Sequence, residues 1–167
     1  MSAVLRDERL LLPMTTRQLD AVLSIELQAY TFPWTRGNFI DSLAAGYPSQ
    51  VLYGAQGEML GYFIAMEGVD ELHLLNITVA PTVQGLGHAR FMLDELGALG
   101  RARRAQQIWL EVRESNLRAR AIYERYGFVH IGLRRGYYPA SRSTHESGRE
   151  DAVVMSLTLT GVRHGLE

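Results

Sequence analysis

The chain has 167 residues, a net charge of -1 at pH 7 and a pI near 6.5. That length suits one globular domain with a real core, and that charge gives no overall pull toward nucleic acid or an anionic membrane, although a local patch stays open. Cysteine and lysine are both absent, which excludes disulfides, thiolate metal sites, a cysteine nucleophile, Schiff-base chemistry and a Walker-type phosphate loop.

The opening "MSAVLRDERLLLPM" has too short an apolar run and too many charges for a signal peptide or a membrane span, so a soluble cytoplasmic protein is expected. "RLLLPM" reads as a strand. Thr15 or Thr16 is the N-cap of a helix over "RQLDAVLSIELQAY", whose Leu19, Leu23 and Leu27 recur at helical spacing. "FPW" breaks the chain before a short helix from about Thr35 to Ala44. "SQVLYGAQ" and "EMLGYFIAME", joined through Gly57, read as a hairpin, and the strand "ELHLLNITVA" ends at Pro81. "ARFMLDELGALGRARR" carries Met92, Leu96 and Leu99 down one helical face and closes in a cationic turn. Arg101 to Arg104 read as a solvated helix end, with a nucleic-acid patch as the alternative. The strand "QIWLEV" follows, then the helix "NLRARAIYERYGF" capped by Asn116, then the strands "VHIGLRRGYY" and "DAVVMSLTL". Strands mixed with helices, an early hairpin and two later strand-helix units predict an α/β or α+β fold around one mixed sheet, a single domain over residues 1–167. The closing "HGLE" is assigned no role.

Between strand and helix lies "QGLGHA", Gln84 to Ala89. Gly85 and Gly87 allow backbone N–H groups to turn inward and approach a ligand, and the N-terminus of the following helix adds partial positive charge. Such a site suits a pyrophosphate, although a purely structural glycine turn is the standing alternative. A dinucleotide fingerprint would need an acidic residue about twenty positions on, where this chain has Arg103 and Arg104. Gln84, Gly87 and Ala89 instead fit the acetyl-coenzyme A pattern Q/R-x-x-G-x-G/A.

On those residues the chain resembles the GNAT acetyltransferase superfamily. "LLNITVAP" before the loop, "WLEVRESNLRARAIYERYGF" after it, then "GLRRGYYP" and "REDAVVMSL", with "FPW" near the start, resemble the RimI-type ribosomal-protein alanine N-acetyltransferases from about Thr16 to Leu157. The resemblance implies a GNAT-like domain with a mixed, mostly antiparallel sheet of about seven strands flanked by about four helices. It also implies coenzyme contacts at Gln84, Gly85, Leu86, Gly87, His88, Ala89, Arg90 and Asn116, and backbone N–H groups of Ile77, Thr78 and Val79 facing the developing oxyanion.

Acetyl transfer to an amine needs a base for the amine proton and an acid for the departing thiolate. Glu111 lies at the C-terminal end of its strand, where α/β folds present polar groups to ligands. An α-amino group with a pKa of about 8 is within reach of a nearby carboxylate, directly or through a water. Pairing with Arg113 or another surface arginine is the plain alternative, and the resemblance implies that Glu111 is the general base. Tyr123, a phenol with a reference pKa near 10, would protonate a thiolate whose acid lies near 8.5, uphill by about 2 kcal/mol. Core packing is its plain alternative. The resemblance carries the acid role onto Tyr123, with Tyr126 as a fallback expected to pack. His73, His88, His130 and His145 show no ligand spacing, so no metal is expected.

The resemblance further implies an acceptor, the N-terminal alanine of a small-subunit ribosomal protein. Phe32, Pro33, Trp34, Tyr137 and Tyr138 offer flat amphipathic surfaces for an extended peptide end, or simply cover the sheet. The segment from Ala140 to Gly148 is longer than the family pattern, and selectivity would shift if it borders the groove. Two other readings remain at this level: the same chemistry on a lysine side chain or small-molecule amine, and a coenzyme- or ribosome-binding module without turnover. Retention of both Glu111 and Tyr123 argues against the module.

Overall fold

The computed structural model describes residues 7–159; "HGLE" and the first six residues lie outside it. The elements are β1 (Leu10–Pro13), α1 (Leu19–Ala29), α2 (Arg36–Ala44), β2 (Ser49–Tyr53), β3 (Met59–Gly68), β4 (Glu71–Val79), α3 (His88–Ala102), β5 (Gln107–Arg113), α4 (Leu117–Tyr126), β6 (Val129–Pro139) and β7 (Arg149–Thr158). Seven strands form one sheet in the order β1-β2-β3-β4-β5-β7-β6. β1–β2, β2–β3, β5–β7 and β6–β7 pair antiparallel and β4–β5 pairs parallel, so the sheet is mixed and mostly antiparallel, as expected. No helix among the described residues is long and apolar enough to cross a membrane.

The chain divides into two compact units. The first runs to Ile64 and resumes from Asn76 to Met92. Thr15 rather than Thr16 is the cap: its hydroxyl receives a backbone N–H, Gln18 reaches back to the Thr15 backbone, and a single 3-10 turn leads into α1. Thr35 and Asn38 repeat the capping box at α2. The buried row of α1 is Leu19, Val22 and Glu26; of the leucine row read from the sequence, Leu19 is buried, Leu23 half-buried and Leu27 67% exposed. The shift follows from Glu26, whose burial is made tolerable by hydrogen bonds, as described below. Val51, Leu52, Tyr62, Phe63, Ile64 and Phe39 complete this core. Gly61 is required by close approach, since a Cβ there would come within 2.4 Å of the Thr78 carbonyl oxygen.

The second unit comprises Ala65–Leu75 and the chain from Leu93. Its core is Leu72, Leu74, Leu93, Leu96, Ile108, Leu110, Val112, Phe128, Val153 and Met155. Leu93 takes the place the periodicity assigned to Leu99, which is half-buried. Arg103, just past the end of α3, pairs with Glu67. The strand expected over "VHIGLRRGYY" is β6, which runs one residue further to Pro139, with a register irregularity between Arg134 and Tyr138 and Gly136 at φ 59°. That bulge re-aims two successive tyrosines.

Candidate active site

β5 alternates, with Ile108, Leu110 and Val112 buried on one face and Gln107, Trp109, Glu111 and Arg113 on the other. The parallel ladder to β4 covers Glu71↔Gln107 to Leu74↔Leu110 and sets His73 opposite Trp109. Their rings stack at 3.6 Å between centroids and 8° between planes. From there His73 Nε2 meets Glu111 Oε2 at 2.7 Å, with the side chains only 10% and 6% exposed. The other carboxylate oxygen, Oε1, lies 3.6 Å from Arg134 Nε and is buried without a hydrogen-bond partner, as is His73 Nδ1. Arg134 also reaches the rings of Trp109 and Tyr137, at 5.8 and 5.3 Å.

Of the arginine partners left open for Glu111, Arg134 is the surface arginine that pairs with it. Arg113 donates to Glu150 Oε1 (3.1 Å) and to the Pro139 carbonyl (2.7 Å), and its guanidinium covers the Tyr138 ring at 4.6 Å. Tyr137 and Tyr138, proposed for a peptide slot, are 4.9 Å apart, edge to face. Burial first, then the Glu111 charge, raises both phenols above their ordinary value, so both belong to the surroundings of Glu111. Neither histidine pairing nor Arg134 was foreseen, because no spacing signal links positions 38 residues apart.

Asn116 is the N-cap of α4, its Oδ1 accepting from Ala119 N at 3.2 Å. Tyr123 packs its ring against Phe128 at 5.6 Å. Tyr126 donates to Asp94 Oδ1 at 2.7 Å and lies 6.2 Å from Phe128, so it packs as expected. The Ala140–Gly148 segment is tied at its base by Ala140 N–H to the Gly148 carbonyl and by a turn from Ser141 to His145.

In the first unit Gly85 and Gly87 both have positive φ, 79° and 84°. A Cβ on Gly87 would meet nothing within 4 Å, so backbone conformation and not packing demands glycine there. His88 opens α3, whose first N–H groups have no partner within the helix. Gln84, Leu86 and Arg90 are exposed, while His88 and Ala89 are half-buried. Arg9 donates to the Gly87 carbonyl (3.3 Å), meets His88 Nδ1 (3.2 Å) and lies over the Phe91 ring (4.2 Å). Burial first and the Arg9 charge second hold the His88 imidazole below its ordinary pKa. At the end of β4 the Tyr30 hydroxyl donates to the Ile77 carbonyl (3.2 Å) and pairs with Thr78 Oγ1 (2.7 Å), while Val79 is half-buried.

The "FPW" turn is held by a residue the sequence reading missed. Glu26, 1% exposed on α1, accepts from Trp34 N–H at 3.0 Å, from the Tyr62 hydroxyl and from Asn76 Nδ2 at 3.4 Å. Trp34 leans on Phe39 at 5.2 Å, and Phe32 is 42% exposed. Among the described residues no group of three or more His, Asp or Glu side chains could hold a metal ion.

Residues 19–128 match the model of the acetyltransferase (GNAT) family. The chain is 36% identical over 147 residues to the ribosomal protein bS18-alanine N-acetyltransferase of Escherichia coli strain K12, covering 88% of this chain and 95% of that protein. It is 36% identical over 140 residues to the enzyme of that name from Haemophilus influenzae, covering 84% of this chain and 92% of that one. The crystal structure of the ribosomal-protein-S18-alanine N-acetyltransferase from Escherichia coli superposes with a TM-score of 0.81 at 34% identity, covering 95% of this chain and 99% of that chain.

Proposed function

The chain belongs to the acetyltransferase (GNAT) family, and on that premise we propose that it transfers an acetyl group from acetyl-coenzyme A to the N-terminal α-amino group of a protein. The acceptor is the N-terminal alanine of ribosomal protein bS18, the substrate named for relatives that share over a third of its residues along nearly their whole length. The observation that carries the chemistry is Glu111: a buried carboxylate with one oxygen held by His73 and the other without a hydrogen-bond partner. A carboxylate oxygen so held is suited to accept a proton from an amine.

On this reading acetyl-coenzyme A supplies the acetyl group as a thioester. Backbone N–H groups along Gln84, Gly85, Leu86, Gly87, His88, Ala89 and Arg90 take its pyrophosphate, which the positive φ of both glycines and the α3 N-terminus favour. Asn116 adds a coenzyme contact beside its capping role. Glu111 accepts the amine proton, backbone N–H groups of Ile77, Thr78 and Val79 receive the charge growing on the carbonyl oxygen, and Tyr123 protonates the thiolate. Phe32, Trp34, Tyr137 and Tyr138 hold the peptide end, and the nearness of both tyrosines to the Glu111 charge supports that pairing of base and slot. The whole chain works as one acetyltransferase domain in the cytoplasm, without metal, membrane or direct nucleic-acid contact; the family match draws on residues of both units.

The test incubates the protein with acetyl-coenzyme A and short peptides, read by mass spectrometry. A free N-terminal alanine is acetylated, and changing that first residue lowers the rate. Acetylation confined to a peptide with a blocked N-terminus and an internal lysine would overturn the proposal.

A further inference from the structure

We propose that His73 is a positioning residue for the base: it fixes Oε2 of Glu111 and so leaves Oε1, the oxygen without a hydrogen-bond donor, to take the acceptor proton. The inference rests on Glu111 being the base. Its ground is the geometry of one face of the sheet. The imidazole of His73 lies flat on Trp109, so rotation about its χ2 would lift it off the indole, and its Nε2 is aimed at Glu111, two residues further along β5 on the same face.

The two oxygens of Glu111 are not equivalent. A carboxylate oxygen accepts, so at 2.7 Å Nε2 is the donor to Oε2 and carries a proton. Nδ1 is the ring nitrogen that is buried without a partner. Oε1 is buried and also lacks a hydrogen-bond donor, with Arg134 at 3.6 Å giving charge but no hydrogen bond. The remaining charged or titratable groups around the pair are Tyr137 and Tyr138 on β6, with Arg113 behind Tyr138. At 2.7 Å the hydrogen bond from His73 Nε2 to Oε2 holds one edge of the Glu111 carboxylate and so sets which way its plane faces. With His73 gone the carboxylate is free to rotate onto Arg134, and a base turned away from its proton costs turnover more than substrate binding; misplacement by about 1 Å can cost roughly 100-fold.

The full chain tests this with His73→Leu, His73→Asn, His73→Gln, Glu111→Gln and the His73→Leu/Glu111→Gln double variant, assayed with acetyl-coenzyme A and an N-terminal alanine peptide. His73→Leu lowers kcat by about 10- to 100-fold while both KM values stay within about twofold. His73→Gln, whose amide N–H can stand where Nε2 stood, recovers kcat to within about fivefold, whereas the shorter His73→Asn does not. On the Glu111→Gln background, His73→Leu adds less than about twofold, because it acts through the carboxylate. Wild-type kcat in His73→Leu, or a penalty that multiplies in full on the Glu111→Gln background, overturns the proposal. If His73→Leu does not fold, equal kcat for the Gln and Asn variants overturns it. Wild-type turnover in Glu111→Gln is a different failure, that of the base itself.

Discussion

Among the described residues the carboxylates of Glu26, Glu111 and Glu150 are largely out of solvent, and their partners separate structure from chemistry. Glu26 is saturated by donors from Trp34, Tyr62 and Asn76, and so serves to pin the "FPW" turn to its unit. Glu150 is saturated too: Ser115 N–H donates at 2.8 Å and Arg113 at 3.1 Å. Glu111 alone of the three keeps an oxygen without a donor. An oxygen with no donor on it is the better placed to take a proton, which favours Glu111 over the other two. Burial opposes ionisation of Glu150, but the Ser115 and Arg113 hydrogen bonds outweigh it and hold its pKa below the ordinary carboxylate value. A depressed folded-state pKa contributes stability that is present above the unfolded value, near 4.3, and lost as pH falls through the folded one. Glu150→Gln is therefore expected to lower stability at pH 7 by about 1–3 kcal/mol, with the gap to wild type closing toward pH 3. Thermal melts of both proteins at the two pH values check this; a gap that widens in acid contradicts it.

At the scale of elements, the loop before α3 and the end of β6 both depend on glycine at positive φ, for different ends. Gly136 at φ 59° sits in the β6 irregularity, its N–H donating to Asp151 Oδ1 at 2.7 Å, and turns Tyr137 and Tyr138 so that both come under the influence of Glu111. Gly87 at φ 84° has open space where a side chain would go, so Gly87→Ala strains only the backbone, by about 1–2 kcal/mol. On the proposed reading of this loop as the pyrophosphate site, Gly87→Ala is expected to raise the KM for acetyl-coenzyme A about tenfold with kcat nearly unchanged. An unchanged KM would return this loop to a purely structural turn. Capping boxes at Thr15 and Thr35, the Asn116 cap and nearly every strand were legible in the chain, because each is fixed by residues a few positions apart. The α1 face was misread, because a buried Glu26 counts as polar in any periodicity and is made apolar-like only by distant donors.

For the whole molecule, the net charge of -1 offers no general attraction to a polyanion. If acetyl-coenzyme A is the donor, ligand at about 100 times its Kd stabilises the folded chain by about 2.7 kcal/mol, a rise in Tm of roughly 5–10 °C for a chain of this length. One cooperative transition that moves as a whole supports a single working domain, and two separated transitions, or no shift, argue against it. By itself the sequence determined the element order, the helix starts and the glycine loop, since each rests on neighbours a few positions apart, while the roles expected of Glu111 and Tyr123 came from the resemblance to the GNAT family. Only the tertiary structure decided that Glu111 faces His73 and Arg134 rather than Arg113. That choice depends on the register of β4 against β5 and on a bulge in β6, and a slip of one residue in either would send the same side chains to opposite faces.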